Sequence, residues 1–139
     1  NLGSGERQLR ATQEQNYPLS QCMSCGCCVD ACPQYQKVEV MQNSGESDEV
    51  FEKRKLKAFD EAFVGPHAIS QAMLFNNHPT GKALAPERMD ALMGPGGIQA
   101  CGNAQNCVAV CPKEIPLTTS IARAGRAATV HMIKKWFEK

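Results

Sequence analysis

Cys22-Met23-Ser24-Cys25-Gly26-Cys27-Cys28-Val29-Asp30-Ala31-Cys32-Pro33 is the stretch whose reading decides the fold. Its cysteines fall as Cys22-x2-Cys25-x2-Cys28-x3-Cys32-Pro33, the spacing of bacterial-type iron–sulfur binding runs. Such a cluster needs several thiolates converging on one small inorganic core. Two-residue gaps let the chain wrap that core while backbone N–H groups point at the sulfides. Thiolates suit soft iron, and their charge is offset by the metal and by those N–H groups. One Cys-x-x-Cys is a weak signal; four cysteines in this register closing on Cys-Pro is a strong one.

A second run lies downstream. Laid on the first, Cys101 to Pro112 reads Cys101-x2-Ala104-x2-Cys107-x3-Cys111-Pro112, with Ala104 where a cysteine would stand. Alanine has no atom that binds metal. In two-cluster ferredoxins the last cysteine of each run ligates the other run's cluster. On that pattern Cys22, Cys25, Cys28 and Cys111 hold one cluster with four thiolates, which suits [4Fe–4S]. Cys101, Cys107 and Cys32 hold the other with three, which suits a [3Fe–4S] cluster lacking one corner iron. Cys27 is left over, one residue out of register, and is expected to be a small packed thiol.

Eight cysteines also admit blander readings. A secreted disulfide scaffold would be shorter and denser in cysteine, and the adjacent Cys27-Cys28 pair fits it poorly. Zinc prefers paired Cys-x2-Cys knuckles, and the second run has none. The 139 residues suit one domain, and a formal charge of +1 gives no reason to invoke nucleic acid. No run approaches the ~18 apolar residues of a membrane span. Aromatic residues are only 6%, so part of the interior is expected to be cluster.

Helix signals fill the remainder. Residues 1–17 read as a polar entry arm and 18–139 as an α-helical ferredoxin domain, with a charged insertion over 37–62. A helical turn is expected from Val29 to Cys32, stopped by Pro33. Asp48 to Phe63 reads as a solvated surface helix. Pro66 opens a helix through about Asn76, with Ile69, Ala72, Met73 and Leu74 inward. Ala85 to Met93 follows, ended by Gly94-Pro95-Gly96-Gly97. Pro116-Leu117-Thr118-Thr119-Ser120 opens a long helix to about Lys139. The only strand candidate is Val38 to Met41, so the fold class is all-α. The scattered histidines, His67, His78 and His131, read as structural or exposed. No paired carboxylates, Ser/His arrangement or phosphate-cradling loop appears, so no catalytic residue is assigned.

These residues resemble the C-terminal, α-helical ferredoxin-like domain of the iron–sulfur subunits of succinate dehydrogenase and fumarate reductase. The resemblance rests on Tyr17-Pro18-Leu19-Ser20, the Cys22–Pro33 run, Phe63-Val64-Gly65-Pro66 and Cys101 through Lys113. The wording of Asn77 to Gly81, Cys101 to Asn106 and Pro116 to Ser120 is similar to members that use menaquinone and a dihaem membrane anchor. It implies the same division of ligands, and electron transfer between a flavoprotein subunit and a haem- or quinone-bearing membrane anchor. The [4Fe–4S] cluster would be the middle relay and the [3Fe–4S] cluster the exit. The implied location is peripheral, on the cytoplasmic face of the inner membrane.

Three departures accompany the resemblance. The family's [2Fe–2S] domain is absent from this chain, which begins without Met, so a fragment or a separate [2Fe–2S] polypeptide is expected. The 37–62 segment is longer than the family's usual link. Ubiquinone-reducing members carry a Trp and a His where this chain has Lys37 and Gly102. Iron–sulfur subunits of heterodisulfide reductase or glycolate oxidase type complexes are the alternative, and Ala104 argues against their two complete runs.

Overall fold

The computed structural model describes residues 6–138, and among them there is no strand. Seven α-helices follow in order: α1 Arg10–Ser20, α2 Cys27–Asp30, α3 Asp48–Glu61, α4 Pro66–Asn77, α5 Ala85–Leu92, α6 Asn106–Ala109 and α7 Leu117–Phe137. Short 3-10 turns stand at Gly81–Leu84 and Ile98–Ala100.

The pair α4 and α7 is the frame on which both cysteine runs hang. In α7 the buried residues are Leu117, Ser120, Ala124 and Ala128, spaced by three and four so that they form one stripe. Alanines in that stripe let α4 come close. From α4, Ile69 and Met73 meet them, and Phe63, Met89 and Leu92 complete the cluster. Complete burial of Ile69 is worth about 1.5–3 kcal/mol. A buried hydroxyl pair stitches the two helices: Ser120 Oγ donates to Leu117 O (2.8 Å), leaving Ser70 Oγ to donate to Ser120 Oγ. At the far end of α7, the Asp90 carboxylate of α5 is held below the usual range by Lys135 and then His131. Its contribution to stability is therefore present above the unfolded carboxylate pKa and fades as pH falls through the folded one.

A second apolar cluster gathers Leu19, Cys28, Val29, Cys107, Ile115 and Leu117, with Cys22 and Cys111 at its margin. The cysteines thus belong to the interior packing. Entry to α4 fixes how these parts meet. Gly65 sits at φ 90°, ψ 160°, a region essentially reserved for glycine, and a Cβ there would lie 3.2 Å from Val29 Cγ2. Val64 N–H donates to Gly96 O (2.9 Å), holding the approach in place. Pro66 then begins the helix where its missing N–H costs nothing.

Most helices lie where the sequence places them, including α3, none of whose residues is buried. The 37–62 segment carries its own staple. The Arg54 guanidinium donates to both Glu46 carboxylate oxygens (3.0 and 2.7 Å) and to Met41 O (2.7 Å). These bonds, with one from Asn43 N–H, hold the Glu46 carboxyl below its usual range.

Four expectations change. Residues 10–20 are helical, although the sequence predicts a polar arm through residue 17. α1 is held from a distance: Gln71 Nε2 donates to Leu19 O (2.9 Å) and Asn77 Nδ2 to Asn16 Oδ1 (3.0 Å). Pro18 lies inside the last turn of α1 and supplies no N–H to the turn before it, and the helix ends two residues later. The helical turn expected over Val29 to Cys32 begins instead at Cys27 and stops at Asp30, started by Gly26. Val38 to Met41 forms no ladder. Cys27 is exposed, not packed: it leads α2, whose buried residues are Cys28 and Val29.

Candidate metal centres

Both cysteine runs follow the same backbone path. The first leaves α1 with Cys22 N–H on Leu19 O, and the second leaves its 3-10 turn with Cys101 N–H on Ile98 O. Two and four residues after the opening cysteine, each run carries a left-handed residue. These are Ser24 (φ 53°) and Gly26 (φ 85°) in the first, Asn103 (φ 54°) and Gln105 (φ 62°) in the second. Left-handed conformations on non-glycine residues cost about 1–3 kcal/mol each and persist where a site over-determines them. Backbone that alternates in this way turns successive N–H groups to one side, making a concavity for anions.

Each run then makes one helical turn, α2 or α6, with Gly26 and Gln105 as matching caps. The closing cysteines are placed alike, with Cys32 N–H on Val29 O (3.0 Å) and Cys111 N–H on Val108 O (3.3 Å). Ala104, flanked by two left-handed residues, is therefore the backbone counterpart of Cys25. Asn106 Nδ2 donates to Ala31 O (3.1 Å) and joins the two runs.

Two similar cavities lie beside this paired structure. Cys22, Cys25, Cys28 and Cys111 line the first. Cys32, Cys101 and Cys107 line the second, together with Ala104. Each cavity takes its last cysteine from the other run. Cys27 lines neither, and all eight cysteines are unpaired. Among the described residues no three Cys, His, Asp or Glu donors close on a single ion. Thiolates bound to separate irons of a cluster need not meet at one point. This donor set fits iron–sulfur clusters.

Two helix N-termini stand between the cavities. Pro66 lines the second cavity and His67 the first; at α7, Leu117 lines the first and Thr118 the second. The positive ends of two helix dipoles thus stand at the two cavities, where they favour negative charge. Burial pushes the Cys28 and Cys107 thiols up, while a backbone N–H from His67 works the other way at Cys28. Metal must displace those protons, so binding strengthens as pH rises. Cys25 is held below a free thiol's range by the Cys27 backbone N–H and then its thiol.

The sequence missed His67, which carries no ligand spacing and stands at the cavity only because α4 starts there. His78 and His131 are engaged elsewhere, with Thr80 and Asp90. Beside the second cavity, a Cβ at Gly102 would lie 2.6 Å from Gln34 Nε2, so Gln34 occupies the space a larger residue would need.

Cys27→Ser is expected to leave iron and sulfide content unchanged, because Cys27 lines neither cavity and a hydroxyl can replace its hydrogen bond to Cys25. Iron loss in this variant, measured by metal analysis, would overturn that placement.

The 4Fe-4S dicluster domain model matches residues 18–115. The chain is 42% identical over 136 residues to the succinate dehydrogenase iron-sulfur subunit of Bacillus subtilis, covering 98% of this chain and 45% of that protein. It is 30% identical over 120 residues to the fumarate reductase iron-sulfur subunit of Haemophilus influenzae, covering 85% and 37%. With that of Wolinella succinogenes it shares 24% over 117 residues, covering 84% and 40%. The chain thus spans less than half the length of these curated relatives. Because the family match takes in both cysteine runs together with the helix entry between them, the chain belongs to the 4Fe-4S dicluster domain family.

Proposed function

We propose that this chain is the electron-relaying iron–sulfur subunit of a succinate dehydrogenase or fumarate reductase complex, or the C-terminal part of one. The observation that supports it most is the division of seven cysteines between two cavities, four in one and three in the other. Residues 18–139 form the ferredoxin-like domain, with 37–62 as an insertion. Cys22, Cys25, Cys28 and Cys111 hold a [4Fe–4S] cluster; Cys32, Cys101 and Cys107 hold a [3Fe–4S] cluster, with Ala104 at its open corner. When bound, such clusters take up and hand on single electrons.

The chain's own residues fix where those electrons can rest. Paired one-turn helices α2 and α6 hold the cavities side by side, and the crossed cysteines Cys32 and Cys111 tie each site to the other run. Leu19, Val29, Ile115 and Leu117 pack in one apolar cluster with Cys28, with Cys22 and Cys111 at its margin. Such burial and hydrogen bonding set a cluster's potential. The partners in this reading are a flavoprotein, a [2Fe–2S] domain, and a membrane anchor carrying haem b or menaquinone. No helix among the described residues is long and apolar enough to cross a membrane. In this reading the anchor holds the chain at the cytoplasmic face.

The test is electron paramagnetic resonance (EPR) of anaerobically purified protein, with iron and sulfide analysis. An oxidised three-iron signal, a separate four-iron signal on reduction, and a composition of one cluster of each kind are expected. Succinate turnover is expected only with the flavoprotein present. Two identical four-iron signals, or turnover by the chain alone, would overturn the reading.

A further inference from the structure

We propose that His67 is a positioning residue of the first cavity, its Nδ1–H donating a hydrogen bond to a sulfur of the cluster held there. This rests on the ligand assignment above and deepens it. Among the described residues, His67 Nδ1 is the buried side-chain nitrogen or oxygen that has no hydrogen-bond partner. A buried polar atom left unpaired costs about 1–3 kcal/mol. The protein offers it no relief nearby: Gly65, whose absent Cβ would stand 3.6 Å from Nδ1, contributes no polar side chain there.

His67 nevertheless lines the same cavity as Cys22, Cys25, Cys28 and Cys111. Its own backbone N–H lowers the Cys28 thiol's pKa against the effect of burial. The other two histidines have partners, Thr80 for His78 Nδ1 and Asp90 for His131 Nε2. An orphaned imidazole nitrogen at a thiol-lined cavity is satisfied by the one kind of group that the cavity would contain, an anionic sulfur. Sulfur of this kind only accepts, so the tautomer is Nδ1–H.

The consequence falls on the potential. A donor to sulfur favours the more negative, reduced state, so removing it makes reduction harder. His67→Phe keeps a ring of similar size and removes the donor. In the cluster-loaded protein isolated with its natural partners, the four-iron reduction equilibrium is expected to shift about tenfold toward the oxidised form, a fall of ~59 mV. The three-iron potential, on the far side of Pro66, should not move and serves as the internal control.

Pulsed EPR of protein carrying histidine labelled with 15N in the imidazole ring alone should show a weakly coupled nitrogen on the reduced four-iron signal, absent from His67→Phe. An unmoved potential, or no coupled nitrogen in the wild type, overturns the proposal. If His67→Phe fails to retain its cluster, the labelled wild type alone decides. Absence of any reduced four-iron signal in the wild type would instead reject the ligand assignment itself.

Discussion

Cys111→Ser is expected to abolish the reduced four-iron EPR signal almost completely, although Cys111 belongs to the second run. It lines the cavity of Cys22, Cys25 and Cys28, none of which is closer than 83 residues in sequence. A serine hydroxyl is a hard, poorly acidic donor and does not replace a thiolate on iron. What is left at that cavity is three cysteines, the number that line the second. The oxidised variant should therefore lose its corner iron, show an additional three-iron signal, or bind no cluster at that site. The native three-iron signal should survive, since Cys32, Cys101 and Cys107 are untouched. Loss of that signal alone, with the four-iron signal intact, would show that each run binds its own cluster and that the crossed assignment is wrong. Because metal binding is part of the folding energy, the same variant should also unfold at a lower temperature.

How much of this was legible in sequence follows from how local each signal is. Ligand spacing is local, so both runs and the gap at Ala104 could be read without a structure. Helices α3, α4, α5 and α7 were legible for the same reason: proline starts, glycine stops and apolar spacing lie within each element. α1 was not. Its residues are polar and its hold on the fold comes from Gln71 and Asn77, more than 50 residues away. For Cys27, residue type favours burial, while its exposure depends on where α2 begins. Gly26 sets that start by its left-handed conformation. His67 was invisible as a site residue because no spacing rule links it to the cysteines. Only the fold back from Gly65 puts it at the cavity, between one cluster site and the next. The identical backbone path of the two runs was also hidden, since Asn103 and Gln105 are not glycines and gave no hint of left-handed geometry.

That shared path carries the second large effect. Ala104 lies between left-handed Asn103 and Gln105 as Cys25 lies between left-handed Ser24 and Gly26, and it lines the second cavity. Ala104→Cys should thus place a thiolate where the first run already has one, with no change of backbone. Supplied with ferrous iron and one reducing electron, the site should then hold a fourth iron. The three-iron signal of the oxidised protein is expected to vanish, and iron content to rise by one atom per chain. An added thiolate brings negative charge beside the core, so the potential should fall. Each 59 mV of a one-electron couple is about tenfold in equilibrium, and even a modest fall opposes electron exit through this site. In the assembled complex, turnover with quinone should therefore drop further than turnover with an artificial acceptor that takes electrons before the second cavity. A variant that kept its three-iron signal and its full rate with quinone would mean that position 104 does not face the open corner. In that case the matching φ angles at 24, 26, 103 and 105 would reflect loop geometry alone, and the difference between the two sites would have to arise from something other than the missing thiol.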